Sequence, residues 1–147
     1  MSAEQEILYS ECYRILGGNY ADGGDVAARV KSIMKELGID AAVVRRLSIS
    51  NFEAEMNVIM YAQEGQLTFE VLPDAVRVVV ADKGQGIPDI DLAMQEGYST
   101  ATPEMRERGF GAGLGLPNIK RNCDEFQITS TPGVGTTLTY SIRLVRT

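Results

Sequence analysis

The later glycines of this chain most limit what it can fold into, because they fall in clusters at fixed spacing. Gly84 and Gly86 directly follow the run Val78-Val79-Val80-Ala81-Asp82-Lys83. Gly109, Gly111, Gly113 and Gly115 then alternate just ahead of a helical segment, and Gly133 and Gly135 sit between the last two apolar runs. A hairpin turn needs one or two glycines, which accounts for the last pair. Four at every second position describe a backbone that must approach something closely or move. A loop that feeds a helix N-terminus also presents free N–H groups and a positive dipole end, which suits phosphate. The common phosphate loops are excluded all the same. No Gly-x-x-x-x-Gly-Lys-Ser/Thr occurs, and no glycine triple has the dinucleotide-binding spacing.

Composition narrows the class further. The chain has 147 residues, 44% hydrophobic and 23% charged, which is enough apolar matter for a core and the size of a single domain, residues 1–147. Fourteen Lys and Arg against twenty Asp and Glu leave a net charge of −6. That balance argues against a nucleic-acid or anionic-membrane surface, which needs clustered cations. No apolar run nears the roughly 20 residues of a membrane span, and the mixed, acidic N-terminus is no signal peptide. Cys12 and Cys123 lack CxxC spacing and read as reduced core thiols of a cytoplasmic protein. There is no histidine, so there is no Ser-His triad, no His metal site and no phosphohistidine on this chain.

Periodicity predicts the order β-α-α-β-β-α-α-β-β. A strand is expected over 6–12, a helix over 25–37 (Val26, Val30, Ile33, Met34 and Leu37 at helical spacing), and a second helix from an Asp40 N-cap to about Tyr61. Strands follow at 66–72 and 76–81, a short helix at 90–95, an irregular stretch at 100–107, a helix at 113–122, and strands at 126–130 and 136–144. Short turns between strands predict an α+β fold, a mixed and mostly antiparallel sheet with helices on one face.

A second signal lies inside the second helix. Glu53 and Asn57 are four residues apart and share a face, with Glu55 roughly opposite. Taken alone they read equally as a solvated polar stripe. Asp82, at the end of the valine strand and just before glycines, changes that reading, because Asp, Glu and Asn supply the oxygens a magnesium nucleotide needs.

Glu53-x-x-x-Asn57, Asp82-x-Gly84-x-Gly86, Gly109-x-Gly111-x-Gly113-x-Gly115-Leu116 and Gly133-x-Gly135-Thr136-Thr137 resemble, in order, the N, G1, G2 and G3 boxes of the Bergerat-fold (GHKL) ATPases. Within that superfamily the chain is similar to the short anti-sigma-factor serine kinases. Glu96-Gly97-Tyr98-Ser99-Thr100, the stretch Gly113 to Arg121 and Asp124-Glu125-Phe126 look like the stressosome switch kinase. The resemblance implies ATP and Mg²⁺ as cofactors, held between the second helix, the G1 loop and a mobile glycine-rich lid. It implies that Asp82 accepts the exocyclic amine of adenine, that Gly84 and Gly86 let the backbone meet the base, and that Thr137 supports the adenine site. It implies Asn57 as the magnesium ligand, and Gly109, Gly111, Gly113, Leu114 and Gly115 as lid and phosphate cradle, with Arg106 and Arg108 beside them. Glu53 matches the family's general base.

The implied function is a serine/threonine protein kinase of a partner-switching circuit, acting on a STAS-domain antagonist or scaffold protein. Other readings are an anti-sigma factor that sequesters a sigma subunit, an ATP-gated interaction module without transfer, and a detached histidine-kinase domain. Kinases of this kind often pair through the sheet, so a homodimer is an expectation too, with Ile7 to Cys12 as a candidate edge.

Overall fold

The computed structural model describes residues 6–95 and 115–144. In chain order they form strand β1 (Tyr9–Leu16), a 3-10 turn (Tyr20–Asp22), helices α1 (Asp25–Glu36) and α2 (Ala41–Tyr61), and strands β2 (Ala62–Val71) and β3 (Ala75–Gly84). Helix α3 (Ile90–Ala93), helix α4 (Gly115–Asn122) and strands β4 (Glu125–Thr131) and β5 (Gly135–Arg143) complete them.

The strands make one five-stranded sheet in the order β1-β2-β3-β5-β4, and every described pairing is antiparallel. The parallel component expected of a mixed sheet is absent among the described residues for a simple reason. β3 and β4 run the same way, but the tight turn at Pro132–Val134 folds β5 back between them.

Alternation then decides which residues face the helices. On β3, Val76, Val78 and Val80 are buried, and their partners Val71, Phe69 and Leu67 on β2 and Ile142, Tyr140 and Leu138 on β5 share that face. Asp82 and Gly84 continue the same side of the strand. The opposite face carries small and polar residues, among them Thr68, Ala81, Thr137 and Thr139.

α2 is the central helix. Its 21 residues contain neither glycine nor proline, and Leu47, Ala54, Val58 and Ile59 pack onto the sheet. α1 flanks it through Val30 and Met34, and α4 through Ile119. Asp40 sits at the N-cap of α2 as expected, but its side chain makes no capping hydrogen bond. No described helix is long and apolar enough to cross a membrane.

Two local expectations shift. β1 begins at Tyr9 and runs to Leu16, because its eight residues pair with β2 while Ile7 and Leu8 stay exposed. Cys12 is exposed on that strand rather than in the core, whereas Cys123 is partly buried with its sulfur 3.3 Å from the Ser50 hydroxyl.

Candidate active site

The site begins with the middle of α2. Glu53 and Asn57 stand one turn apart and are both half-buried, as a helix with α4 on that flank requires. The first residue of α4 closes on them. A Cβ added at Gly115 would lie 3.2 Å from Glu53 Oε2 and 3.4 Å from Asn57 Oδ1. The Asn118 side chain, three residues further along α4, hydrogen-bonds the Glu53 carboxylate. Gly115 of α4 therefore lies directly beside one carboxylate and one amide. Burial pushes the Glu53 carboxyl above its ordinary value, and the Asn118 hydrogen bond only partly opposes this.

Glu55 behaves differently. It is buried beneath α1 and accepts hydrogen bonds from the backbone N–H groups of Gly24 (3.0 Å), Val26 (3.3 Å) and Ala27 (2.9 Å). The α1 N-cap is Gly24, at φ +98°, and it has no side chain to satisfy those donors. A carboxylate from α2 takes that role and also faces the positive end of the α1 dipole. Glu55 is thus a structural anchor.

Asp82 lies on the helix face of β3, half-buried, and its Oδ1 accepts the Thr136 backbone N–H at 3.1 Å. Burial raises its carboxyl above the ordinary value, against the opposing effect of that N–H. One oxygen is thereby used within the fold, and among the described residues the other has no hydrogen-bond donor. Thr136, rather than Thr137, is the residue placed here. Thr137 is paired with Ala81, which puts its side chain on the opposite face of the sheet, away from Asp82. The Thr136 hydroxyl lies 2.9 Å from that of Ser130, and the Ser130 hydroxyl accepts the Ile87 N–H at 2.7 Å. A short polar chain thus ties the loop after Asp82 to the β4–β5 hairpin.

The glycines around Asp82 serve that same junction. Gly86 is at φ +71°, and a Cβ there would clash with the Thr131 carbonyl oxygen. At Gly84 it would meet Ala62 and Tyr61 at the end of α2, both at 2.9 Å. Their lack of a side chain is already required by protein neighbours, independently of any base. Gly84 N–H donates to the Val134 carbonyl and Gly133 N–H to that of Gln85, so the first and third glycine clusters are stitched together. Gly109, Gly111, Gly113, Leu114, Arg106 and Arg108 lie outside the described residues.

Residues 42–146 match the model of the family described as histidine kinase-, DNA gyrase B- and HSP90-like ATPases. The chain belongs to this ATPase family. It is also 36% identical, over 117 residues, to the serine/threonine-protein kinase RsbT of Bacillus subtilis (strain 168). That match covers 76% of this chain and 82% of the relative. It is 36% identical over 89 residues to an anti-sigma F factor of Caldanaerobacter subterraneus subsp. tengcongensis, covering 57% of this chain and 59% of that protein. Among solved structures, the SiaB–SiaC complex of Pseudomonas aeruginosa matches with a TM-score of 0.63 at 13% identity, over 94% of this chain and 90% of that one. The RsbU and RsbW domains of a Mycobacterium tuberculosis protein match with a TM-score of 0.63 at 18% identity, over 93% of this chain and 33% of that one. These two share its fold. The chain is an ATP-using protein serine/threonine kinase of the RsbT kind, with the α+β fold of the family.

Asn118 and Thr136 are the site residues that sequence patterning missed. Counting alternate positions from Asp82 across the β3–β5 pair would have found Thr136. Asn118 follows from the turn geometry of α4, three residues beyond Gly115.

Proposed function

We propose that the chain transfers the γ-phosphoryl group of ATP to a serine or threonine hydroxyl of a STAS-domain partner, and so releases a partner-switching circuit in the cytoplasm, with residues 1–147 acting as one catalytic domain. One observation carries this reading. Glu53, Asn57 and Gly115 meet at the start of α4, while Asp82 stands on the helix-facing side of β3 with its Oδ1 accepting the Thr136 N–H.

Asp82 would accept the exocyclic amine of adenine and would reject a base that presents a carbonyl there, since a buried acceptor facing an acceptor costs about 1–3 kcal/mol. Asn57 Oδ1 is a hard oxygen donor next to a carboxylate, which fits magnesium. Among the described residues no cluster of three or more acidic, Cys or His side chains could hold a metal unaided. Asn57 would share the ion with phosphate oxygens and water, as magnesium in a nucleotide site commonly does. When bound, Mg²⁺ supplies charge neutralisation for the triphosphate. The backbone N–H groups at the start of α4, with Gly109, Gly111, Gly113 and Leu114 ahead of it in sequence, would cradle the phosphates.

Glu53 would take the proton of the acceptor hydroxyl as its oxygen bonds to the γ-phosphorus and the bond to the ADP oxygen breaks. Its raised carboxyl is better matched to that task than an ordinary glutamate. The experiment is a transfer assay with Mg-ATP and each purified STAS-domain protein encoded in the source genome. Phosphoserine or phosphothreonine on one of them is expected, and its absence on all of them overturns the proposal. The similarity to anti-sigma F factors favours a second reading, in which the chain also sequesters a sigma subunit. Co-purification with a sigma factor tests that.

A further inference from the structure

Resting on the kinase reading above, we infer that the groove between α1 and α2 is where the phosphoacceptor protein docks, through an acidic, apolar-faced helix. The groove has a volume of about 730 Å³ and opens on the solvent side of the helical layer. α1 contributes Lys31 and Lys35, one turn apart and so on a single face. α2 contributes Arg45, Ile49 and Phe52, at i, i+4 and i+7, followed by Glu53.

Two features of these residues point to a protein ligand of opposite charge. Ile49 is 38% exposed and Phe52 40%, although both stand on the central helix of the domain. Large apolar side chains left in solvent side by side mark an interaction surface when polar groups rim them. Here the rim is basic. Lys31, Lys35 and Arg45 gather in a chain whose net charge is −6, and none of them has a salt bridge among the described residues. Cations spent on internal stability would be paired with acids of the fold, as Arg46 is with Asp124. The Ser48 hydroxyl, which also lines the groove, has no hydrogen-bond partner among the described residues.

Position selects the occupant. The groove ends on Glu53, the residue that faces Gly115 at the nucleotide side. A helix laid along it with acidic residues toward Lys31, Lys35 and Arg45, and apolar ones on Ile49 and Phe52, would bring its end to the general base. There an acceptor hydroxyl meets the γ-phosphate. Docking of this kind uses an amphipathic helix in an apolar groove, with charge setting orientation and encounter rate.

The test uses the full chain and the STAS-domain protein that the transfer assay identifies as substrate. The variants are the triple reversal Lys31→Glu, Lys35→Glu, Arg45→Glu and the single change Phe52→Ala. ADP affinity and thermal stability are measured alongside transfer. For the reversal, KM for the protein substrate is expected to rise about tenfold or more, with kcat and ADP affinity within about twofold. The wild-type KM should also rise with salt, and the reversal should lose that dependence. For Phe52→Ala the same rise should appear without any change in salt dependence. An unchanged KM in both variants, with wild-type transfer intact, overturns the docking site while leaving the kinase reading in place. If instead the variants only abolish self-association of the chain, the groove belongs to a second copy and the inference is wrong. Absence of transfer to every STAS protein overturns the kinase reading, and the named occupant with it.

Discussion

Two glutamates two residues apart on α2 show how one helix separates structure from chemistry. Glu55 points toward α1, loses nearly all contact with solvent, and is met by three backbone N–H groups. Glu53 points toward α4, is only partly buried, and has Asn118 as its one side-chain partner among the described residues. The more deeply buried acid is the better satisfied one. The shallower acid bears an ionisation cost that nothing nearby fully offsets, and Asp82 on β3 shares that condition. A fold holds such underpaired groups where a ligand or a proton transfer needs them. The comparison teaches that burial alone does not identify the working carboxylate; the supply of donors does.

The sharpest way to break this contrast is to convert each acid to its amide. For Glu53→Gln, phosphoryl transfer is expected to fall by about 10² to 10⁴-fold, since a general base is lost while nucleotide binding persists. Single-turnover transfer and ADP affinity measured on the same sample separate the two effects. Thermal stability should rise slightly at neutral pH. The sign follows from linkage. A carboxyl raised in the folded state binds its proton more readily folded than unfolded, so its ionised form costs stability above the folded pKa. That cost is relieved as pH falls through the raised value toward the ordinary 4.5, so the difference in Tm between Glu53→Gln and the parent should vanish in acid. The same raised carboxyl places the acid limb of the kcat/KM profile above the pH at which an ordinary glutamate titrates.

Glu55 should respond in the opposite way. Glu55→Ala leaves buried donors at the start of α1 without an acceptor, a loss of about 3 kcal/mol, or roughly 10 °C in Tm for a chain of this size. Glu55→Gln should recover little of it, because the amide nitrogen would face N–H groups that also donate. Thermal unfolding of the two variants checks this. A stable Glu55→Gln would dissolve the contrast between the two acids.

How far the sequence carried the reading can be judged from these same residues. The one-turn spacing of Glu53 and Asn57, the valine alternation ending in Asp82, and the break-free stretch from Ala41 to Tyr61 are legible in the sequence, and the structure keeps that helix and that strand. Glu55 was not legible, because an acid amid polar neighbours reads as solvated. Its burial follows from Gly24 capping α1, which leaves donors that only a distant residue can satisfy. Thr136 was missed for a different reason. Which of two adjacent threonines faces Asp82 depends on the register of β5 against β3, and a one-residue slip exchanges the faces. The start of β1 was misplaced because Ile7 and Leu8 are apolar yet exposed.

Asp82→Asn tests the purine end with a smaller effect. The Thr136 N–H can still be accepted by the amide oxygen, so the apo protein should be no less stable. The amide nitrogen then faces the adenine amine, and affinity for a fluorescent adenine nucleotide should fall about 10- to 100-fold. Unchanged affinity would remove Asp82 from the site.

The smallest expected effect joins both halves of the comparison in one position. Gly115→Ala adds a Cβ at 3.2 Å from Glu53 Oε2 and 3.4 Å from Asn57 Oδ1. Alanine is the better helix former by up to about 1 kcal/mol, so α4 should gain stability of a few tenths of that order or more. The methyl group must nonetheless displace the Glu53 carboxylate by a few tenths of an ångström. It also removes part of that group's access to solvent, which raises its carboxyl further. The expected variant is slightly more heat-resistant and several-fold slower in transfer, with the acid limb of its pH profile moved upward. Stability and rate moving apart in this way is what a contact between Gly115 and the reacting groups predicts. If both rise together, or if the pH profile stays where it was, α4 begins somewhere that the chemistry does not feel.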